Sequence, residues 1–250
     1  MIVLISPAKT LDYSTTDIGL TSKPAFQKET KELVSILKKK SSKAIKSLMQ
    51  VSDNIARLNE ERFHQFDDEF TTENSKQALL AFKGDVYTHI DVDSFSEEEY
   101  AFAQEHLRIL SGLYGLLRPM DLIQPYRLEM KTKLKNKKGK DLYGFWGNKI
   151  ADAINEAAKG APVINLASKE YFKSVNKKAL KSRVIEVLFK EFKDDSYKNI
   201  GIFSKQARGM MTDFIIKNKI DNPEELKTFD KGGYEFAANK SNADEWVFVR

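Results

Sequence analysis

The stretch LRILSGLYGLLRP, residues 107–119, decides more about the fold than any other part of the chain. Leu107 to Leu110, apolar except for Arg108, reads as a buried strand. Gly112 and Gly115 stand three apart, and Arg118-Pro119 closes the run. Two readings are open at this point. In one, the glycines make a tight packing turn. In the other, the segment about 107–124 is a helix-hairpin-helix element: positive φ at the glycines leaves N–H groups uncovered, a helix start directs them at an anion, and Ser111, Gly112, Leu113, Tyr114 and Gly115 hold a phosphate with Arg118 supplying charge.

Working outward, Ile2 to Ile5 and Val163 to Leu166 have the same buried-strand character, the first stopped by Ser6-Pro7. Phe26, Thr30, Leu33 and Leu37 fall on one helical stripe, and Ile55, Leu58, Phe63 and Phe66 on another behind Ser52-Asp53. Val184 to Phe192 and Ile200 to Phe203 are expected to form a strand pair, followed by a helix from Lys205 to about Asn218 capped by Ser204. Tyr234 to Ala237 and Trp246 to Val249 close the chain as a hairpin. No strict βαβ rhythm, Gly-rich nucleotide signature or internal repeat is present. The expected fold is a mixed α/β (α+β) arrangement forming one domain over residues 1–250.

With no cysteine among 250 residues, thiolate metal sites, disulfides and cysteine nucleophiles are excluded, and a cytoplasmic setting is expected. The formal charge of +5 is unevenly spread. Residues 53–106 hold 4 basic and 14 acidic side chains, whereas 118–149 hold 9 and 3, 165–208 hold 11 and 5, and 23–52 hold 8 and 2. Such segregation fits one basic and one acidic face if the basic segments converge, and it fits ordinary solvated surface if they do not.

Residues 126–135 alternate, placing Tyr126, Leu128, Met130, Thr132 and Leu134 on one side and Arg127, Glu129, Lys131, Lys133 and Lys135 on the other. As a strand this is a cation ladder suited to a polyanionic backbone, or an edge protected against aggregation. Lys205 and Arg208 at a helix start would oppose the helix dipole, a misplacement that a bound anion relieves. Ser6-Pro7-Ala8-Lys9 with Ser52-Asp53-Asn54 imitates a β-lactamase pattern, but no K-T-G follows. Glu61-x-x-His64 occurs once, where a di-iron bundle needs two copies. Lys9, at the exit of the first strand, stands where α/β proteins place ligand groups.

Six runs in one order, Ile5-Ser6-Pro7-Ala8-Lys9-Thr10-Leu11, Phe82-Lys83-Gly84-Asp85-Val86-Tyr87, Leu110 to Pro119, Pro125-Tyr126-Arg127-Leu128-Glu129-Met130, Leu142-Tyr143-Gly144-Phe145-Trp146 and Trp246-Val247-Phe248, resemble the bacterial YaaA family of peroxide stress proteins over essentially the whole chain. The resemblance implies a cytosolic protein that limits oxidative damage by lowering unincorporated iron. It also implies a fold particular to the family, with a helix-hairpin-helix element and a basic cleft that binds double-stranded DNA with little sequence preference. It carries the hairpin Ser111 to Gly115 with Arg118, and the cations Lys9, Lys83, Arg127, Lys149, Lys205 and Arg208, to which Lys131 is auxiliary. A binding protein without cofactor or metal is the expectation. The alternative is an enzyme acting on nucleic acid or a phosphorylated small molecule, with Lys9 as anchor or nucleophile and Asp85 as acid/base.

Overall fold

In the computed structural model, which describes residues 1–250, the apolar runs assemble into one eight-stranded sheet. Its strands are β1 (Ile2–Ile5), β2 (Leu107–Ser111), β3 (Gly115–Leu117), β4 (Val163–Asn165), β5 (Val184–Lys193), β6 (Ser196–Lys198), β7 (Glu235–Phe236) and β8 (Glu245–Val249). The order is β7-β8-β5-β4-β1-β2-β3, with β6 beside β5. The five central strands β8, β5, β4, β1 and β2 are parallel, and β3, β6 and β7 pair antiparallel at the margins. β1 and β4 are buried throughout, in keeping with the unbroken apolar run of β1 and with Val163 and Ile164 of β4, whose last residue is the buried Asn165. Numbered along the chain, the parallel strands stand in the order 2-1-3-4-5, so the winding reverses direction between β1 and β4.

Six helices of eight residues or more surround the sheet: α1 (Gln27–Leu37), α2 (Ser42–Met49), α3 (Asp53–Gln65), α4 (Glu97–His106), α5 (Lys149–Ala158) and α6 (Gly201–Lys217). The stripes expected on α1 and α3 bury Leu33, Leu37 and Phe63, while Leu58 is exposed. Ser52 caps α3 by accepting from the Ile55 N–H, and Ser96 and Glu99 form a reciprocal capping box on α4. None of the helices is long and apolar enough to cross a membrane.

Three local expectations are corrected. Residues 107–124 contain no helix: β2, a tight turn and β3 form a β-hairpin, and Leu122–Ile123 pairs antiparallel with Lys76–Gln77. The helical pair joined by a short turn is α2 and α3, where Gln50 takes a left-handed conformation at φ 52°. Ile200 to Phe203 is not a strand: α6 begins at Gly201, and β5 pairs instead with β6. Ser204 therefore lies inside the helix, buried, and its hydroxyl donates to the Phe189 carbonyl instead of capping. Residues 126–135 alternate between buried and less buried as expected, yet they join no sheet.

Candidate functional site

The hairpin that was expected to face a phosphate lies in the core. Ser111, Leu113 and Tyr114 are fully buried, and their polar groups are used internally. Ser111 Oγ lies 2.6 Å from Tyr126 Oη and accepts from the Tyr114 N–H, and Trp146 Nε1 donates to the Gly112 carbonyl at 3.1 Å. The glycines serve close packing: a Cβ at Gly112 would run into the Leu128 carbonyl, and one at Gly115, where φ is +72°, would stand 2.6 Å from the Trp146 ring. No N–H group of this turn faces an open surface. Arg118, whose side chain is 42% exposed, is engaged by Asp121. Its Nε and Nη2 donate to Asp121 Oδ1 at 3.2 and 3.1 Å, and its backbone N–H reaches the other carboxylate oxygen. Burial raises the Asp121 pKa, against the pull of Arg118 and Ser22.

Four of the expected cations, Lys9, Lys83, Lys205 and Arg208, line one cleft elsewhere. The segment after β1 (Ser6 to Thr10) and the segment after β4 (Leu166 to Tyr171), which enters a one-turn helix at Lys169–Phe172 capped by Ser168, border a cleft of about 680 Å³ at the carboxyl ends of these strands. This is where the winding reverses, the position at which doubly wound sheets hold ligands. Lys83, Asp85 and Tyr87 enter from a third segment, and α6 contributes Lys205 and Arg208. The floor is ordered by short bonds: Tyr87 Oη donates to the Ser6 carbonyl at 2.9 Å, and the Ser168 N–H donates to Ser6 Oγ at 2.9 Å. Burial pushes the Tyr87 and Tyr171 hydroxyls well above their usual pKa, keeping both as neutral phenols.

Most of these cations already have partners. Glu129, whose side chain is 11% exposed, receives Lys9 at 3.0 Å, Arg127 at 3.0 Å and Lys131 at 3.4 Å. Burial pushes its pKa up, but the Lys9 hydrogen bond and the charges of Lys9, Lys131 and Arg127 reverse this and hold it below the usual value. Lys205 meets Asp85 at 3.2 Å, and Lys83 meets Asp12 at 3.0 Å. A backbone N–H from Ser14, with Lys83, holds Asp12 far below the usual carboxylate range. Lys9 and Asp85 thus face one cleft while each is engaged by a charge of its own. Lys149 is not among the cleft residues: it bonds Glu29 at 2.9 Å and ties α5 to α1.

Beside the cleft, and sharing Lys169 with it, runs a groove of about 690 Å³ lined by Lys169, Lys173, Lys177 and Lys178 with a single carboxylate, Glu186. None of these four lysines forms a salt bridge; Lys173 and Lys177 instead lie over the rings of Tyr143 and Phe172. They were visible only as part of a basic segment, because nothing in their spacing shows that Glu170 and Glu186 form no salt bridge with them. No three His, Asp or Glu side chains converge as a group able to hold a metal ion.

Comparison with known proteins decides the family. Residues 1–240 match the profile described as "Peroxide stress protein YaaA". This chain belongs to the YaaA family. It is also 51% identical over 254 residues to a "UPF0246 protein" of Saccharophagus degradans (strain 2-40), covering 100% of this chain and 99% of that one. The YaaA membership extends from β1 nearly to β8 and so includes both walls of the cleft and the lysine groove. It carries with it a role in the response to peroxide stress.

Proposed function

We propose that this YaaA-family protein acts in the cytoplasm during peroxide stress by binding the backbone of double-stranded DNA along the joined groove and cleft, and that its action lowers the unincorporated iron that drives Fenton damage. The observation that carries the DNA reading is the row Lys169, Lys173, Lys177 and Lys178, four cations without carboxylate partners bordering a cleft that adds Lys9, Lys83, Lys205 and Arg208. Unpaired ammonium groups attract phosphates without first giving up an internal partner, and contacts of this kind position a duplex without specifying sequence. Lys131 and Arg127 support the site indirectly, by sharing Glu129 with Lys9.

The test is a titration of labelled duplexes of two unrelated sequences with wild type, a Lys169→Glu/Lys177→Glu variant and a Lys231→Glu control, whose lysine is 62% exposed beside Asp230. Reversing two phosphate contacts is expected to weaken both duplexes alike, by more than about tenfold at moderate salt, while the control binds normally. Equal affinity for wild type and the double variant would place DNA binding elsewhere. Peroxide-treated cells carrying the double variant are expected to show a larger chelatable iron pool than cells carrying wild type, and an equal pool would separate iron control from the groove.

A further inference from the structure

Arg208 is the one predicted cation without a salt bridge, although a buried Nε lacking a partner is a feature it shares with Arg127, whose Nη2 meets Glu129. It projects from α6 into the wall of the cleft, forms no salt bridge, and its Nε is buried without a hydrogen-bond partner. Glu186 acts on it only through space, and burial pulls its pKa below the usual guanidinium value. A guanidinium stays protonated and presents five donors. A charge removed from water without a counterion is costly. Beside it Ser6 Oγ and Ser168 Oγ lie 3.3 Å apart. Of the three carboxylates that line the cleft, Glu129 and Asp85 are taken up by Lys9 and Lys205 and Glu170 lies near Lys131, so Arg208 and Lys169 are the cleft cations left without a salt bridge. At about 680 Å³ the space exceeds a lone phosphate and falls within the range of small-ligand pockets.

We propose that Arg208, with Ser6 and Ser168, forms a recess for a phosphate monoester, carried either by a free nucleotide or by the end of a nucleic-acid strand. A monoester offers three free oxygens and up to two negative charges to a fork of donors. A diester within a continuous duplex offers one charge and two oxygens, and it is held at a spacing that keeps it from entering a recess whose cation is mostly covered. The inference shares the cleft with the duplex reading but does not require it.

Calorimetric titration with adenosine 5′-monophosphate, inorganic phosphate and adenosine, on wild type and an Arg208→Gln variant, provides the test. Binding of the two phosphates but not of adenosine is expected. Arg208→Gln is expected to weaken nucleotide binding by about tenfold or more while leaving the melting temperature equal or higher, because an unpaired buried charge has been removed. A merely structural arginine would instead lower it. Duplexes with a 5′-phosphate or a 5′-hydroxyl identify the source: tighter binding of the phosphorylated end supports a strand terminus, and nucleotide binding without that preference supports a free nucleotide. If neither phosphate binds wild type at about 1 mM and the 5′-phosphate adds nothing, or if Arg208→Gln binds the nucleotide as wild type does, the recess is overturned. Closed circular duplex, measured alongside, reports on backbone binding separately.

Discussion

At the scale of single residues, the twin glycines and Arg118 show how one motif serves packing where it could have served binding. Two glycines three apart in an apolar run are equally compatible with an exposed phosphate hairpin and with a turn pressed against neighbouring backbone. What separates them is contact with Leu128, 16 positions beyond Gly112, and with Trp146, 31 positions beyond Gly115. Gly115→Ala is therefore expected to lose roughly 3 kcal/mol of stability, through a left-handed backbone and a clash with an indole ring that cannot move freely. Urea unfolding checks this, and a loss below about 0.5 kcal/mol would mean the turn is not tight. Arg118→Ala leaves the buried Asp121 with only Ser22 and a backbone N–H, and is expected to cost about 2–4 kcal/mol without changing duplex affinity. A variant that folds normally but binds DNA poorly would restore Arg118 to the interface.

At the scale of elements, legibility followed the range of the determining forces. β1, β2 and β4 were readable because burial leaves strands that are apolar but for Arg108 and Ser111 in β2 and Asn165 in β4, a pattern that needs no knowledge of partners. The closing pair β7 and β8 was readable from its two aromatic-rich segments. The start of α6 was not, because four residues of mixed apolar character suit either period, and Ile200 caps the helix with no side-chain bond. The alternation of residues 126–135 was correct about burial and silent about hydrogen bonding, since a segment can follow a two-residue period against the core without joining a sheet. The consequence at Glu129 is testable. Its folded pKa lies below the unfolded value, so its contribution is fully present above the usual carboxylate range near 4.5 and is lost as pH falls through the lower folded pKa. Glu129→Gln is expected to be less stable than wild type at pH 7, by about 1–3 kcal/mol, with the gap closing on acidification below that range. A constant gap at pH 3 and pH 7 would show that charge is not what Glu129 contributes.

For the whole molecule, the segregation of charge along the chain was visible, but which cations remain unpaired was not. Lys83 finds Asp12, Lys205 finds Asp85 and Lys149 finds Glu29 across long stretches of sequence, whereas the lysines from 169 to 178 find no carboxylate. The positions expected from the residues and the family resemblance thus divide in three: Lys9, Lys83, Lys205 and Arg208 line the cleft, Arg127 and Lys131 hold its Glu129, and outside it the hairpin is buried while Arg118 and Lys149 pair with Asp121 and Glu29. If about six cations of the groove and cleft meet phosphates, duplex affinity should fall with salt at a log–log slope of about −5, and a slope near zero would exclude backbone binding. The most direct measurement is a lysine-labelling footprint of the intact protein with and without duplex DNA, read residue by residue by mass spectrometry. Protection of Lys169, Lys173, Lys177 and Lys178 together with Lys83 and Lys205, with Lys149 and Lys231 unchanged, is the predicted result; protection confined to other lysines, such as Lys43 and Lys46 on α2, would contradict it.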